Sequence, residues 1–250
     1  MTTAETAARN RTGTGLGSRI LRWSGTTLVV LGLGLGLWAF VVWQWQDPFT
    51  SLYTRWQQHK LQGVYAKVVR TYQPIPVPHT KTVSVAAERR ILTTEATRYR
   101  RTARIGAPIG HIDVPRLGLH MLLINGTNHD SLVKGPGRDQ RTYMPGQGQL
   151  VYIAGHRTTY LAPFAHIDSM KVGDRVTLKL PYATIVYSVT GHVIVDAHDL
   201  SVLRSHNREL VALQACHPRF FASQRYIVWA KPISVTLPDG HSFKPAVRAS

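Results

Sequence analysis

The chain is poor in cysteine and in acidic residues, and each scarcity limits what the protein can be. Its 250 residues include one cysteine, so no disulfide can form within the chain and small disulfide-stapled folds are excluded. Acidic residues number 13 against 30 lysines and arginines, which gives a formal net charge of +17. An excess of this size indicates an anionic neighbour: nucleic acid, a lipid surface or an anionic cell-wall polymer. Composition alone leaves these three open.

Several signatures of binding and catalysis are also missing. The sequence has no HExxH or similar histidine pair with a carboxylate, so a zinc hydrolase is not indicated. It has no motif of RNA- or DNA-binding proteins, and nucleic acid is therefore not expected as a partner. The aspartates that could suggest a calcium site lie in turn-like or surface-like sequence, so no metal site is predicted: Asp113, Asp168, Asp174, Asp196 and Asp199.

A long run without charge lies near the N-terminus, from Trp23 to Gln46. Its apolar part, residues 26–43, is long enough to cross a bilayer as a helix and has tryptophans at its ends. The run ends in VVWQWQDP, which offers no small-x-small cleavage site, so we predict an uncleaved signal-anchor over residues 23–46. Arginines precede it, and the positive-inside rule predicts a cytoplasmic tail over residues 1–22.

The next segment, residues 47–104, is predicted to be a basic stalk or linker. Its first part has apolar residues at helical spacing, which predicts a helix that is solvated or lies on anionic headgroups. Those residues are Leu52, Trp56, Val64 and Val68. The sequence PIPVPHT then predicts an extended stretch stiffened by proline. The polar, arginine-rich part that follows, to Arg104, predicts a flexible linker.

From residue 105 the pattern changes to short β-rich runs separated by turn residues. Among these runs are HIDVP, HMLLING, QLVYIAG, RVTLKL, TIVYSVTGHVIVDA, ELVALQA and RYIVWAKPISV. Strands at this spacing, without long helical patterns, predict an all-β barrel or sandwich over residues 105–237. Residues 238–250 are then a C-terminal tail.

Three residues at predicted strand ends have the side chains of a nucleophilic site. Cys216 follows the run ELVALQA, and we expect it to point into the mouth of a barrel. Arg225 begins the next run; if the two strands pair, its guanidinium lies beside the thiol and favours both the thiolate and an oxyanion. His156 follows QLVYIAG, and its imidazole can give a proton to a leaving amine. A lone cysteine is usually a buried apolar residue, so the prediction of a catalytic site depends on the three residues occurring together.

Residues 105–237 resemble a sortase catalytic domain. AGHRTTYLAPF is similar to the family's histidine loop, and LVALQACHPRFFASQRYIVWA resembles its T-L-x-T-C strand with the arginine that follows. IGHIDVPRLGLHMLLINGT resembles its first strands, and the wording HRTTY and CHPRF is most similar to class E, typical of high-GC Gram-positive bacteria. The chain departs from the pattern at Ala215, where relatives have threonine, and at Leu161, where class E members often have glycine.

The resemblance implies an eight-stranded β-barrel with short helices, preceded by one transmembrane helix, and a membrane-anchored cysteine transpeptidase. Cys216 would attack the threonine carbonyl of a C-terminal sorting motif, LAxTG or LPxTG, and form a thioester. His156 would protonate the leaving amine, and Arg225 would hold the carbonyl. An amine of a cell-wall precursor or a pilin would then resolve the thioester. No cofactor is implied.

The resemblance also implies substrate-binding positions and a location. The expected substrate-binding residues are Thr158, Tyr160, Ala215 and His217. The catalytic domain would be extracellular, with secreted sorting-motif proteins and the lipid bilayer as partners. An L,D-transpeptidase would carry S-H-G-C-x-R, which is absent around Cys216. A catalytically impaired sortase-like protein and a basic membrane-tethered module that binds cell-wall polymer stay open as alternatives.

Overall fold

The structure is a computed structural model that describes residues 15–44, 48–76 and 84–245. The chain divides into two compact units, Met1–Trp45 and Gln46–Ser250. The first contains helix α1, Gly15–Gln44, in which Arg19–Val41 has the length and the apolar composition needed to cross a membrane. This span overlaps the predicted signal-anchor and begins four residues before it. Most of the predicted cytoplasmic tail lies outside the described residues.

The second unit begins with helix α2, Pro48–Thr71, so the helix predicted from apolar spacing is present. It packs against the sheet that follows. Tyr65 is buried against Leu122 and Ile124, and the Thr54 hydroxyl donates a 2.8 Å hydrogen bond to the carbonyl of Val133. Because one face of α2 is covered in this way, α2 is part of the folded unit and not a free stalk.

Helix α3, Val85–Thr102, occupies the segment predicted as a flexible linker, and that prediction is wrong there. Leu92, Ala96 and Tyr99 are buried in the main core. Their spacing of four and three residues places them on one helical face. Ser84 caps the helix, since its hydroxyl accepts a hydrogen bond from the backbone N–H of Ala87. The arginines of this segment dominate its composition and obscure the apolar stripe in the sequence.

Short strands make up the rest of the unit. In chain order they are β1 Pro108–Val114, β2 Leu119–Asn125, β3 Gly137–Arg138, β4 Leu150–Ala154, β5 Arg175–Leu180, β6 Ala183–Asp196, β7 Leu210–His217, β8 Gln224–Thr236 and β9 Ser242–Phe243. A one-turn helix α4, His129–Leu132, and three 3-10 turns, Pro115–Leu117, Ile167–Ser169 and Leu200–Leu203, lie between them.

The strands form a closed barrel. Neighbouring strands follow the order β6, β5, β1, β2, β3, β4, β7, β8, and β6 also pairs with β8. That last pairing joins the two ends of the order and closes an eight-stranded barrel, as predicted, with β9 added beside β8. The alternative of an open sandwich is excluded by this closure.

Alternate residues of β7 lie inside the barrel and on its outer face, and this alternation gives the orientation of the last residues of the strand. Val211, Leu213 and Ala215 are buried in the main core inside the barrel. Ala212 belongs instead to a second cluster on the outer face, which contains Ile227 of β8. Side chains alternate between the faces of a strand, so Cys216 has the outer orientation of Ala212. Residues 197–209, which connect β6 to β7, cover the middle of this outer face.

Candidate active site

Strands β7 and β8 pair in antiparallel register and set Cys216 directly opposite Arg225. The Cβ atoms of direct partners in such a pair lie about 4.5–5.5 Å apart. Both residues are partly exposed, so a substrate can reach them. The pairing expected from the sequence is therefore present. The expectation that Cys216 points into the barrel mouth is wrong, because Ala215 takes the inward position.

The Arg225 guanidinium is held at the start of β8 by its own connection. Nη1 donates hydrogen bonds to the carbonyl of Ala222, at 2.7 Å, and to the carbonyl of Gln224, at 2.9 Å. A planar guanidinium that is tied at one nitrogen presents its other donors in a fixed direction. The site therefore has a positive charge with restricted orientation beside the thiol.

Parallel pairing of β4 with β7 brings His156 to the same end of the barrel. The last partners are Ala154 and Gln214, and the backbone N–H of Gly155 continues the pairing with a 3.0 Å bond to the Gln214 carbonyl. Continued by two residues from the Ala154–Gln214 pair, this register would place His156 level with Cys216. Gly155 is required here, because a Cβ would lie 2.6 Å from the ring of Phe164.

The His156 imidazole is in a dry environment. Its Nε2 atom is buried and has no hydrogen-bond partner among the described residues, and its ring packs on Tyr160 with 4.9 Å between centroids. Burial, and secondly repulsion by His129, lower the pKa of His156 below its ordinary value of 6.5. A buried polar atom without a partner is uncommon, and here it leaves a nitrogen available for proton exchange.

Arg157 is a residue of this site that the sequence reasoning missed. It is 3% exposed, and it connects the histidine loop to the end of β7. Nη1 donates to the Cys216 carbonyl at 3.3 Å and lies 3.0 Å from Nδ1 of His217, while Nη2 lies 2.7 Å from an Asp168 oxygen. Burial of an arginine depends on partners that are distant in sequence. The only signal in the chain was its place directly after His156.

Two of the predicted substrate-binding residues lie in the loop after His156. Thr158 is partly exposed, and Tyr160 stacks beside the imidazole. The backbone N–H of Tyr160 donates to the Thr50 hydroxyl of α2 at 2.9 Å. Tyr160, Leu161 and the next residue have positive φ angles, and 61° at Leu161 is a conformation in which glycine, the residue common in class E, is free of strain.

The other two predicted substrate-binding residues follow β7. His217 is partly exposed and is held by Arg157. Ala215 is fully buried in the barrel core, so its side chain cannot line a groove on the outer face. The small side chain of Ala215 fits this inward position, and its assignment as a substrate-binding residue through its backbone stays a prediction.

Comparisons with known proteins bear on the domain and its fold. Residues 112–233 match the family model of the sortase domain. A sortase D5 transpeptidase from Clostridium perfringens is 23% identical, with a TM-score of 0.56, over 71% of this chain and 98% of that one. The SrtA sortase from Actinomyces oris is 26% identical, with a TM-score of 0.51, over 59% and 91%. Sortase E1 from Streptomyces coelicolor is 22% identical, with a TM-score of 0.51, over 57% and 98%. No curated protein matches the chain. These relatives belong to several classes, so they establish the sortase fold and not the class.

Proposed function

We propose that this chain, whose residues 112–233 match the sortase domain, is a membrane-anchored cysteine transpeptidase in which Cys216 is the nucleophile. The observation that carries the proposal is the cross-strand pairing of Cys216 with Arg225. His156 reaches the same level through the register of β4 with β7. In the proposed site, the ends of β7 and β8 and the loop after β4 supply these three side chains at one edge of the barrel.

The proposed reaction has two steps: the acyl group is first transferred to Cys216 and then from Cys216 to an acceptor amine. The thiolate of Cys216 adds to the threonine carbonyl of a sorting motif, the peptide C–N bond breaks, and the glycine amine leaves with a proton from the His156 imidazolium. An acceptor amine then attacks the thioester, gives its proton to His156, and releases Cys216 as thiolate. Arg225 stabilises the oxyanion in both steps; within the described residues its hydrogen bonds use Nη1, which leaves the donors on Nε and Nη2 for the substrate.

This mechanism requires a protonation state that is rare in the resting enzyme. With an ordinary pKa, about a quarter of a histidine is protonated at pH 7. Burial lowers the pKa of His156, so its protonated fraction is smaller than that quarter. The productive pair of thiolate and imidazolium is then a minority state, and the carbonyl of a bound peptide, held by Arg225, captures the thiolate when it forms.

The finer assignments belong to the same proposal. The motif is LAxTG or LPxTG, with the class E preference for alanine, and Thr158, Tyr160 and His217 border the peptide. The acceptor is an amine of the cell-wall precursor or of a pilin. Helix α1, with the apolar span Arg19–Val41, anchors the protein with its N-terminus in the cytoplasm and the barrel outside. The net charge of +17 suits a location beside anionic lipids and wall polymers.

Mass spectrometry of the full chain in detergent micelles tests the proposal. The protein is incubated with LAxTG and LPxTG peptides, with and without triglycine. We expect an acyl adduct on Cys216 and, with triglycine, a transfer product; the variant Cys216→Ala, which removes only the sulfur, should give neither. A folded wild-type protein that forms no adduct with these peptides or with a library of related motifs would favour the impaired or binding-module alternative.

A further inference from the structure

A second cavity lies on the outer face of the barrel, at the end opposite Cys216. Its volume is about 710 Å³, a size typical of sites for small ligands. The start of α3, the connection before β4, the end of the β6–β7 connection and the middle of β8 enclose it. We call it the basic pocket and define it by Arg89, Gly146, Arg208, Trp229 and Lys231.

The basic pocket and the catalytic residues share one face of the same strands. Trp229 is the cross-strand partner of Ala212, and Arg225 is the partner of Cys216. Four residues separate the two positions along β8, which corresponds to about 13 Å of extended strand. Both positions have the outer orientation, because side chains an even number of residues apart lie on one side of a strand. Ile227 lies between them on that side and is buried under Val202 and Leu203, so a molecule that contacts both positions must pass over the β6–β7 connection.

The charge of the pocket favours an anion. Arg89, Arg208 and Lys231 are exposed and present permanent positive charges to its interior. Among the described residues that line the pocket, Glu209 is the one acidic residue. Its oxygens accept hydrogen bonds from the backbone N–H groups of Gly146 and Gly148, at 2.9 and 3.0 Å. This carboxylate is thus directed to the protein itself; burial raises its pKa, and the charge of Arg89 opposes that rise. Three basic side chains stand against this one carboxylate, so the described lining is positively charged overall.

The apolar part of the pocket favours a ring. Trp229 is half-buried, packs on the outer cluster that contains Ile227, and contributes to the pocket wall. Leu210 extends the same wall. Aromatic side chains with one edge fixed by packing bury large apolar area at little cost in conformational entropy. Sugar rings have an apolar face of a size that matches an indole. A pocket with an indole beside positive charges is therefore suited to a negatively charged glycan.

We propose that the basic pocket binds the phosphate- or carboxylate-bearing glycan of the cell-wall precursor whose amine resolves the Cys216 thioester. This inference rests on the proposed function and adds where its second substrate binds. The sugar would lie against Trp229, with its anionic groups at Arg208 and Lys231. The separation of about 13 Å along β8 is the minimum that the peptide between glycan and amine must span, which requires at least about four extended residues. The residues of the β6–β7 connection border this path.

Acceptor kinetics with charge-reversal variants test the inference. The full chain in detergent transfers a sorting peptide either to triglycine or to a soluble muropeptide, a phosphorylated disaccharide carrying a short amine-bearing peptide. We compare the double variant R208E/K231E with the matched double variant R55E/K67E, whose changes lie on exposed residues of α2. In R208E/K231E we expect the KM for the muropeptide to rise roughly tenfold or more, since two charge-assisted contacts become repulsive. Kinetics with triglycine, hydrolysis of the sorting peptide and all properties of R55E/K67E should stay unchanged.

Two results overturn the inference while leaving the proposed function intact. One is an unchanged muropeptide KM in R208E/K231E; the other is an equal loss with triglycine, which would indicate damage to the catalytic end. If the wild-type protein cleaves no sorting peptide, the proposed function fails, and calorimetric titration with the muropeptide still tests the pocket. R208E/K231E should then lose about tenfold in affinity, and R55E/K67E should not. Binding of mature wall polymer but not of muropeptide would contradict the precursor assignment.

Discussion

Arg157 and His217, the residues that directly follow His156 and Cys216, contact each other: Nη1 of Arg157 lies 3.0 Å from Nδ1 of His217. The same guanidinium nitrogen bonds to the carbonyl of Cys216. The loop that carries the histidine and the strand that carries the cysteine are therefore joined one residue beyond each reactive group. This contact restrains the backbone next to His156 relative to the backbone next to Cys216, and we predict that Arg157 acts as a positioning residue of the proposed site.

Replacing Arg157 should reduce turnover more than substrate binding. In R157K the charge is kept but the planar set of donors is lost, so the bonds to Cys216 and His217 cannot both form. A displacement of the catalytic groups by about 1 Å can cost roughly 100-fold in rate. We expect kcat for a sorting peptide to fall by about that factor, with KM within about threefold. Steady-state kinetics would measure this, together with the pH dependence of kcat/KM, which should shift because the surroundings of His156 change. A wild-type kcat in folded R157K would contradict the positioning role.

Arg225 should contribute to the transition state rather than to folding. Loss of one oxyanion donor typically lowers kcat by about 100- to 1,000-fold. We expect that loss in R225A and only partial recovery in R225K, whose single ammonium cannot both bond Ala222 and reach the substrate. Single-turnover formation of the Cys216 adduct measures the effect. The control variant R204A loses one positive charge at an exposed position and should form the adduct at the wild-type rate. Equal rates in R225A and wild type would remove Arg225 from the mechanism.

The pKa of His156 should lie below 6.5, because burial and secondly His129 disfavour the imidazolium. Proton titration of the imidazole by NMR in the C216A variant measures it directly. Replacing His129 with glutamine removes a positive neighbour and should raise the pKa of His156. The folded-state pKa is lower than the unfolded one, so the unfolding free energy should decrease as the pH falls below about 6.5. The variant H156Q should lack this part of the pH dependence; a pKa above 6.5 would contradict the dry environment.

Helix α3 should be necessary for the stability of the barrel. Leu92 is 5% exposed, and leucine-to-alanine changes at such positions cost about 2–5 kcal/mol. We expect L92A to lower the unfolding free energy by an amount in that range, measured by chemical denaturation in detergent. T94A, at an exposed position of the same helix, should change it by less than about 0.5 kcal/mol. Equal stability of L92A and T94A would restore the interpretation of this segment as a linker.

The pairing of Cys216 with Arg225 could be predicted from the sequence because both stand at strand ends that are marked locally. Cys216 and Arg225 are separated by a short turn, and a short connection between two strands requires antiparallel neighbours. The level of His156 could not be derived in the same way, since β4 and β7 are parallel and far apart in the chain. The face on which Cys216 lies depends on which side of β7 is covered by the barrel core. That choice is made by tertiary packing, and it directs the side chain of Ala215 into the barrel core.

For the segment that forms α3, the sequence contained the correct signal, but its composition favoured a different structure. Its buried residues have a clear helical spacing, but its high content of arginine is typical of a flexible linker, so composition and periodicity point to different structures. The burial of Arg157 could not be predicted from the sequence. A charged side chain is rarely buried without a partner, and its partner Asp168 could only be identified once the fold had brought the two together.

Cys216 is the single thiol of the chain, and the end of β7 leaves it partly exposed. A maleimide that cannot cross membranes would therefore attach at one atom of the protein, or nowhere. Labelling in intact cells would place the barrel outside, whereas labelling only after lysis would reverse the orientation. Protection of the same atom by added sorting peptide would report occupancy of the groove. Because the chain has one cysteine, labelling at this single thiol can report both the membrane orientation of the barrel and the binding of substrate.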